Sequence, residues 1–216
     1  MMLLPRPSAL NQRRLTRAMQ IVLLGIVGYG ALGIVWDGVA AQPKAIVNGG
    51  IGLAVTTLPA VLERNYEIPL DPWLGLWITT AVFLHTLGSA GLYGQIGWWD
   101  HLTHSMSASL VAAAGYITAR SLDLHSDEIT IPARFAFVYI LVVVLSFGVV
   151  WELFEFGLDV VADSTGVTMP LAQHGLDDTI RDLMFNSLGA LLVAFFGQVH
   201  LTGVAERLRE RLFATE

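Results

Sequence analysis

The chain has 216 residues, a mean hydropathy of +0.61, 54% hydrophobic and only 14% charged side chains. An ordinary soluble domain carries about a quarter charged residues, so this sequence lacks the polar surface that a water-soluble fold of its size needs. A net charge of −6 argues against nucleic acid as a partner, and the absence of cysteine excludes disulfides and thiolate metal sites.

About 20 apolar helical residues cross a hydrocarbon core. Six segments meet that length, roughly 18–36, 45–62, 73–93, 100–120, 135–158 and 179–200. The expected fold is all-α: a polytopic transmembrane helical bundle, residues 1–216 forming one integral membrane domain. In the first segment Arg13, Arg14 and Arg17 precede an apolar run from Met19 to Trp36. That pattern resembles a signal peptide, but the run is long enough to span and no small-residue cleavage site follows, so a retained first helix is expected. The second segment is the weakest, diluted by Asn48 and several glycines. Pro43, Pro72 and Pro132 precede spans two, three and five, where helix starts tolerate proline. His85 falls in the outer half of span three. The charged tail, 204–216, is expected to form a short cytoplasmic helix.

Basic residues set the orientation. With six spans, Arg6, Arg13, Arg14, Arg17, Arg64, Arg120, Arg134, Arg207, Arg209 and Arg211 share one side, against Lys44 and Arg181 on the other. Both termini are therefore expected in the cytoplasm of a multi-pass protein of the plasma or inner membrane.

Three polar motifs then fall at the opposite, non-cytoplasmic ends. Span four opens with Trp99-Asp100-His101-Leu102-Thr103-His104, where Asp100 and His104 share a helical face by their i, i+4 spacing. Span five closes with Trp151-Glu152-Leu153-Phe154-Glu155, and Asp159 continues the Glu152/Glu155 stripe. Span six opens with Asp177-Asp178-Thr179-Ile180-Arg181-Asp182, where Asp178, Asp182 and Asn186 step by four, with Gly189 next. Carboxylates at helix starts gain at most about 1 kcal/mol from the helix dipole. That is too little to gather five or more acids near hydrocarbon, where each costs several kcal/mol without a partner. Protons, Arg181 or a cation must offset their repulsion. Oxygen and imidazole ligands suit a divalent Mg, Mn, Zn or Fe ion. Asp100, His104, Glu152, Glu155, Asp178 and Asp182 form the expected metal-ligand set, supported by His85, His101 and Asn186.

Taken singly, these residues have plainer readings. Asp177 and Asp159 read as helix caps or interface residues, and Asp100 with His104 as a local pair. Trp151, Phe154 and Phe156 around the glutamates suggest burial. His125 and His174 read as loop residues and His200 as a helix-end residue, while Glu63 and Arg64 lie at the opposite face.

The motifs resemble the YjdF-like family of bacterial and archaeal inner-membrane proteins. The matching pieces are Leu58-Pro59, Leu62-Glu63-Arg64, Leu84-His85 with Gly88, and Trp99-Asp100-x3-His104. They continue with Glu152-x2-Glu155, Asp178-Thr179-x2-Asp182 and Asn186-x2-Gly189-Ala190, so the likeness covers roughly residues 55–195. Their order is also similar to that of the broader VanZ-like group. Two departures stand out: Ser105 replaces an aromatic residue after His104, and Gly175 replaces an acid three residues before the Asp178-Thr179 pair. The resemblance implies the architecture, the place of the site and envelope-facing work, but no reaction.

Two classes of function, and a structural alternative, follow from these residues. One is a metal-dependent enzyme acting on a lipid or lipid-linked phosphate at the outer leaflet. Another is a proton- or cation-coupled transporter, against which stand polar residues confined near one face and the lack of an internal repeat. The third is a scaffold tied together by a structural ion. Membrane lipids are the expected partners, and self-association into a homo-oligomer is compatible with all three.

Overall fold

The computed structural model describes residues 8–36, 43–66, 71–125, 128–165 and 175–212. These residues fold almost entirely as helices: α1 (Ala9–Val35), α2 (Pro43–Tyr66), α3 (Pro72–Leu87), a π-helical segment (Gly88–Leu92), the single turn α4 (Tyr93–Gln95), α5 (Trp99–His125), α6 (Ala133–Thr165) and α7 (Leu176–Leu212). Among the described residues there is no β-strand.

Five stretches are long and apolar enough to cross a membrane: Ala9–Leu32, Ile46–Asn65, Pro72–Gln95, Ala133–Val161 and Leu176–Gly197. The fourth expected span forms α5, 27 residues long but less apolar than the others. Its buried positions explain the difference: Thr103, Ala108, Ser109, Ala112, Ala113 and Gly115 face protein, where small and hydroxylated residues serve helix packing better than lipid-like ones.

Helix ends follow local chemistry. Helix α1 starts at Ala9, ahead of the expected boundary, because the Ser8 hydroxyl accepts from the Asn11 amide at 3.4 Å. Helix α3 starts behind Asp71, whose Oδ1 accepts from the Trp73 amide at 2.9 Å, with Pro72 in the first turn. Helix α6 outruns its expected end near residue 158 and reaches Thr165, because Asp159 and Asp163 are tolerated in an exposed helical turn and no proline intervenes. Helix α7 continues to Leu212, so the charged segment from Val204 extends the sixth predicted span instead of forming a separate helix.

The helices group into two compact units, Met1–Ala90 and Gly91–Glu216. At the boundary Gly91 has φ +141°, outside the range that other residues readily adopt, and it interrupts the helical path. In the first unit α1, α2 and α3 pack pairwise. There Gln20 Nε2 donates to the carbonyl and hydroxyl oxygens of Thr56 at 3.2 and 3.3 Å. In the second unit α5 and α7 form the most extensive pairing, with α6 against both. Gly189 permits it: a Cβ there would lie 2.3 Å from the backbone oxygen of Ser105 and 3.0 Å from the amide nitrogen of Ser109.

Candidate functional site

The close α5–α7 approach places Asp100 and His104, one turn apart on α5, opposite Asp182 and Asn186, one turn apart on α7. His104 Nε2 lies 3.6 Å from Asp100 Oδ1 and 3.6 Å from Asp182 Oδ1. One ligand atom from each of these three side chains lies within 4.8 Å of the others. On the far side of the ring, His104 Nδ1 is 3.3 Å from Asn186 Oδ1. An amide carbonyl oxygen only accepts, so Nδ1–H is the donor, and Nε2 faces the two carboxylates. Histidines that bind metals commonly make a second hydrogen bond of this kind.

Burial raises the stakes. Asp182 is 2% exposed, and its Oδ1 is buried with no hydrogen-bond partner. A bare carboxylate oxygen in such a place is costly unless a cation or proton meets it. Asp100 is more open, its side chain 34% exposed, so the group has a wetter edge on the α5 side.

Glu152 brings α6 into the same region. Its Oε2 accepts from the Thr179 hydroxyl of α7 at 2.8 Å, and its Oε1 is buried without a hydrogen-bond partner. Glu155 and Asp178 are half-buried. The charge on Glu155 is opposed by those of Glu152, Asp100 and Asp178, and that on Asp182 by Asp100, Asp178 and Glu152. Only Asp100 and Asp182 join His104 in a compact ligand set among the described residues.

The remaining sequence expectations divide. Asn186 is brought against His104. His101 turns away and stacks on Phe185, ring centres 4.1 Å apart, because one residue beyond Asp100 is a rotation of about 100° around the helix. His85 lies in α3, within the first unit, and is not a member of the ligand set. Trp151, Phe154 and Phe156 are exposed, so α7 and Thr179 cover Glu152 and the aromatic residues beside it do not. His125 ends α5 and is exposed, whereas His200 lies within α7 well before its end; His174 lies outside the described residues.

Two hydroxyl contributions escaped the sequence reading. Thr179 anchors Glu152; its position three residues before Asp182, on the same side of α7, was the available signal. Thr103 donates to the Asp100 carbonyl at 2.8 Å and so accepts from the Tyr93 hydroxyl at 3.2 Å, bracing the first turn of α5. Ser105 donates to the Phe185 carbonyl of α7 at 3.0 Å. A small hydroxyl there fits the close approach that Gly189 allows.

Fold and site together define a multi-pass helical membrane protein with a partly buried acid–histidine cluster between two tightly packed helices. The chain belongs to the family described as Predicted membrane protein (DUF2238), whose profile matches residues 20–203. It is also similar to an uncharacterized protein of Thermotoga maritima, 31% identical over 138 residues that cover 63% of this chain and 67% of the relative. No solved structure matches the chain.

Proposed function

We propose that Asp100, His104 and Asp182 hold a divalent cation, and that the protein is a metal-dependent membrane enzyme acting on a lipid or lipid-linked phosphate at the non-cytoplasmic face. The observation that carries this reading is the convergence of three ligand atoms within 4.8 Å around a buried Asp182 oxygen that accepts no hydrogen bond. The donor set fits a hard or borderline ion: two carboxylate oxygens and one imidazole nitrogen suit Mn, Zn or Fe, and Mg less closely. Three protein ligands leave coordination positions for water or substrate, the arrangement of catalytic rather than closed structural sites. Held by these three residues, a divalent ion would supply Lewis-acid polarisation of a phosphoryl oxygen or a more acidic water, and a carboxylate outside the ligand set would serve as base.

The non-cytoplasmic placement rests on the charge bias of the sequence, and the motif order shared with the YjdF-like and VanZ-like groups agrees with envelope-facing work. Labelling single cysteines from outside the cell checks it: Ile96→Cys reacts and Ser126→Cys does not. The reverse pattern overturns the orientation.

Elemental analysis of the purified, metal-replete protein tests the core of the reading. The wild type retains a divalent metal, whereas Asp182→Asn and His104→Ala lose it. Wild-type protein without stoichiometric metal removes the proposal. If metal binds yet no phosphate is released from lipid-linked phosphates in proteoliposomes, and chelation lowers only the melting temperature, the ion is a structural staple between α5 and α7.

A further inference from the structure

Glu152 is the buried acid that the three-residue ligand set does not use. It is 5% exposed; the Thr179 hydroxyl fixes Oε2, and Oε1 has no hydrogen-bond partner. One anchored oxygen and one bare oxygen make a carboxylate held ready for something absent from the protein itself. Asp182 and Glu155 lie within its Coulombic range.

The surroundings of that oxygen indicate what that something is. Arg181, the basic residue within the α7 motif, is exposed, and a buried carboxylate oxygen that accepts no hydrogen bond is costly unless a cation or proton meets it. A phosphate-bearing substrate is itself anionic, so carboxylates left without cations repel what the site must bind.

We infer that the site takes two divalent cations, the second recruited by the bare Oε1 of Glu152 beside the ion held by Asp100, His104 and Asp182. This rests on the proposed metal site and extends it to a paired-ion centre for a phosphate ester or diphosphate. A second position with few protein ligands matches how Mg²⁺ or Mn²⁺ binds, through one or two carboxylates with the remaining positions filled by water and substrate oxygens. Paired ions of this kind clamp the attacking and leaving oxygens of a phosphoryl group.

Mn²⁺ is the probe. Full-length protein in detergent is loaded with Mn²⁺, and its stoichiometry is read by equilibrium dialysis and its spin coupling by electron paramagnetic resonance. Two Mn²⁺ per chain with an exchange-coupled signal are expected for the wild type. Glu152→Gln, which keeps the shape of the side chain, is expected to bind one uncoupled Mn²⁺, and the surface control Glu63→Gln two. Wild-type binding of one ion, unaffected by Glu152→Gln, overturns the paired centre and leaves the Asp100–His104–Asp182 site standing. Binding of none overturns both. The wild-type count decides between these outcomes even if a variant fails to fold.

Discussion

Both units of the chain bury neutral polar groups, Thr103, Ser109, Ser121 and Asn186 among them in the second, but among the described residues only the second also buries acids. The first hides neutral ones: Gln12, Asn48, Thr56, Thr79 and Thr86 are all under 8% exposed. Three of these threonines return their hydroxyl protons to their own helix, Thr56 to Leu53, Thr79 to Gly75 and Thr86 to Val82, at 2.8, 2.8 and 2.9 Å. The second unit hides Glu152 and Asp182, each with a buried carboxylate oxygen that accepts no hydrogen bond. A buried hydroxyl can be closed off locally, because a helical carbonyl accepts a second hydrogen bond. A buried carboxylate has no proton to return and depends on a donor or a cation. The first pattern is what a helix bundle needs to hold together; the second leaves a charge requirement that points beyond the chain.

The largest effect expected comes from breaking the close packing that creates the second pattern. Gly189→Ala places a Cβ 2.3 Å from a backbone oxygen, which cannot swing aside as a side chain can. α5 and α7 must separate, at a cost of about 3 kcal/mol, and the metal affinity should fall with it. In the first unit, a Cβ at Gly25 meets nothing within 4 Å. Gly25→Ala should therefore be neutral or stabilising by up to about 1 kcal/mol through helix propensity. Thermal unfolding of the two variants in one detergent compares them directly. Equal losses would mean that the α5–α7 contact is not tight.

Metal removal is the next test. A ligand at 100 times its dissociation constant stabilises the folded state by about 2.7 kcal/mol. A chelator should lower the wild-type melting temperature by that equivalent and leave Asp182→Asn unchanged. In the chelated state Asp182→Asn should melt higher than the wild type, since an amide there ends the repulsion from Asp100, Asp178 and Glu152. An Asp182→Asn protein that melts lower than the chelated wild type would show that its carboxylate has a stabilising partner within the protein.

Much of this contrast was legible in the sequence, for a geometric reason. Residues four apart on one helix share a face whatever the helix packs against, so Asp100 with His104, and Asp182 with Asn186 and Gly189, could be grouped from spacing alone. Which of Glu152 and Glu155 comes closer depends on the rotation of α6 about its axis, which spacing along a single helix does not determine. The helix ends were harder still. Acidic and basic residues beyond a hydrophobic run mark where hydrocarbon should stop, but they do not stop a helix, and α6 and α7 both continue through them.

The orienting role of Asn186 predicts an intermediate effect. Asn186→Ala removes the acceptor for His104 Nδ1–H without touching a ligand atom. Loss of such an orienting partner typically weakens metal binding by about 10–100-fold. Titration with Mn²⁺ should show that range with stoichiometry preserved, whereas an unchanged affinity would mean that packing alone holds the ring.

The smallest difference concerns two threonines and isolates the principle. Thr86→Val removes a hydroxyl, 1% exposed, whose proton goes to the Val82 carbonyl, an oxygen already within the helical hydrogen-bond ladder. That carbonyl stays paired afterwards, so the cost should remain below about 1 kcal/mol. Thr179→Val makes the same chemical change but withdraws the donor on Glu152 Oε2, leaving a buried carboxylate less satisfied than before. Hydrogen bonds to charged groups contribute about 1.5–3 kcal/mol, so Thr179→Val should cost about 1 kcal/mol more than Thr86→Val in chelated protein. Saturating Mn²⁺ should shrink the gap, because a cation on Oε1 takes over part of the charge that Thr179 helped to stabilise. If the two variants cost the same and metal changes neither, Glu152 is carried as a neutral acid, and the two units bury their polar groups by the same rule after all.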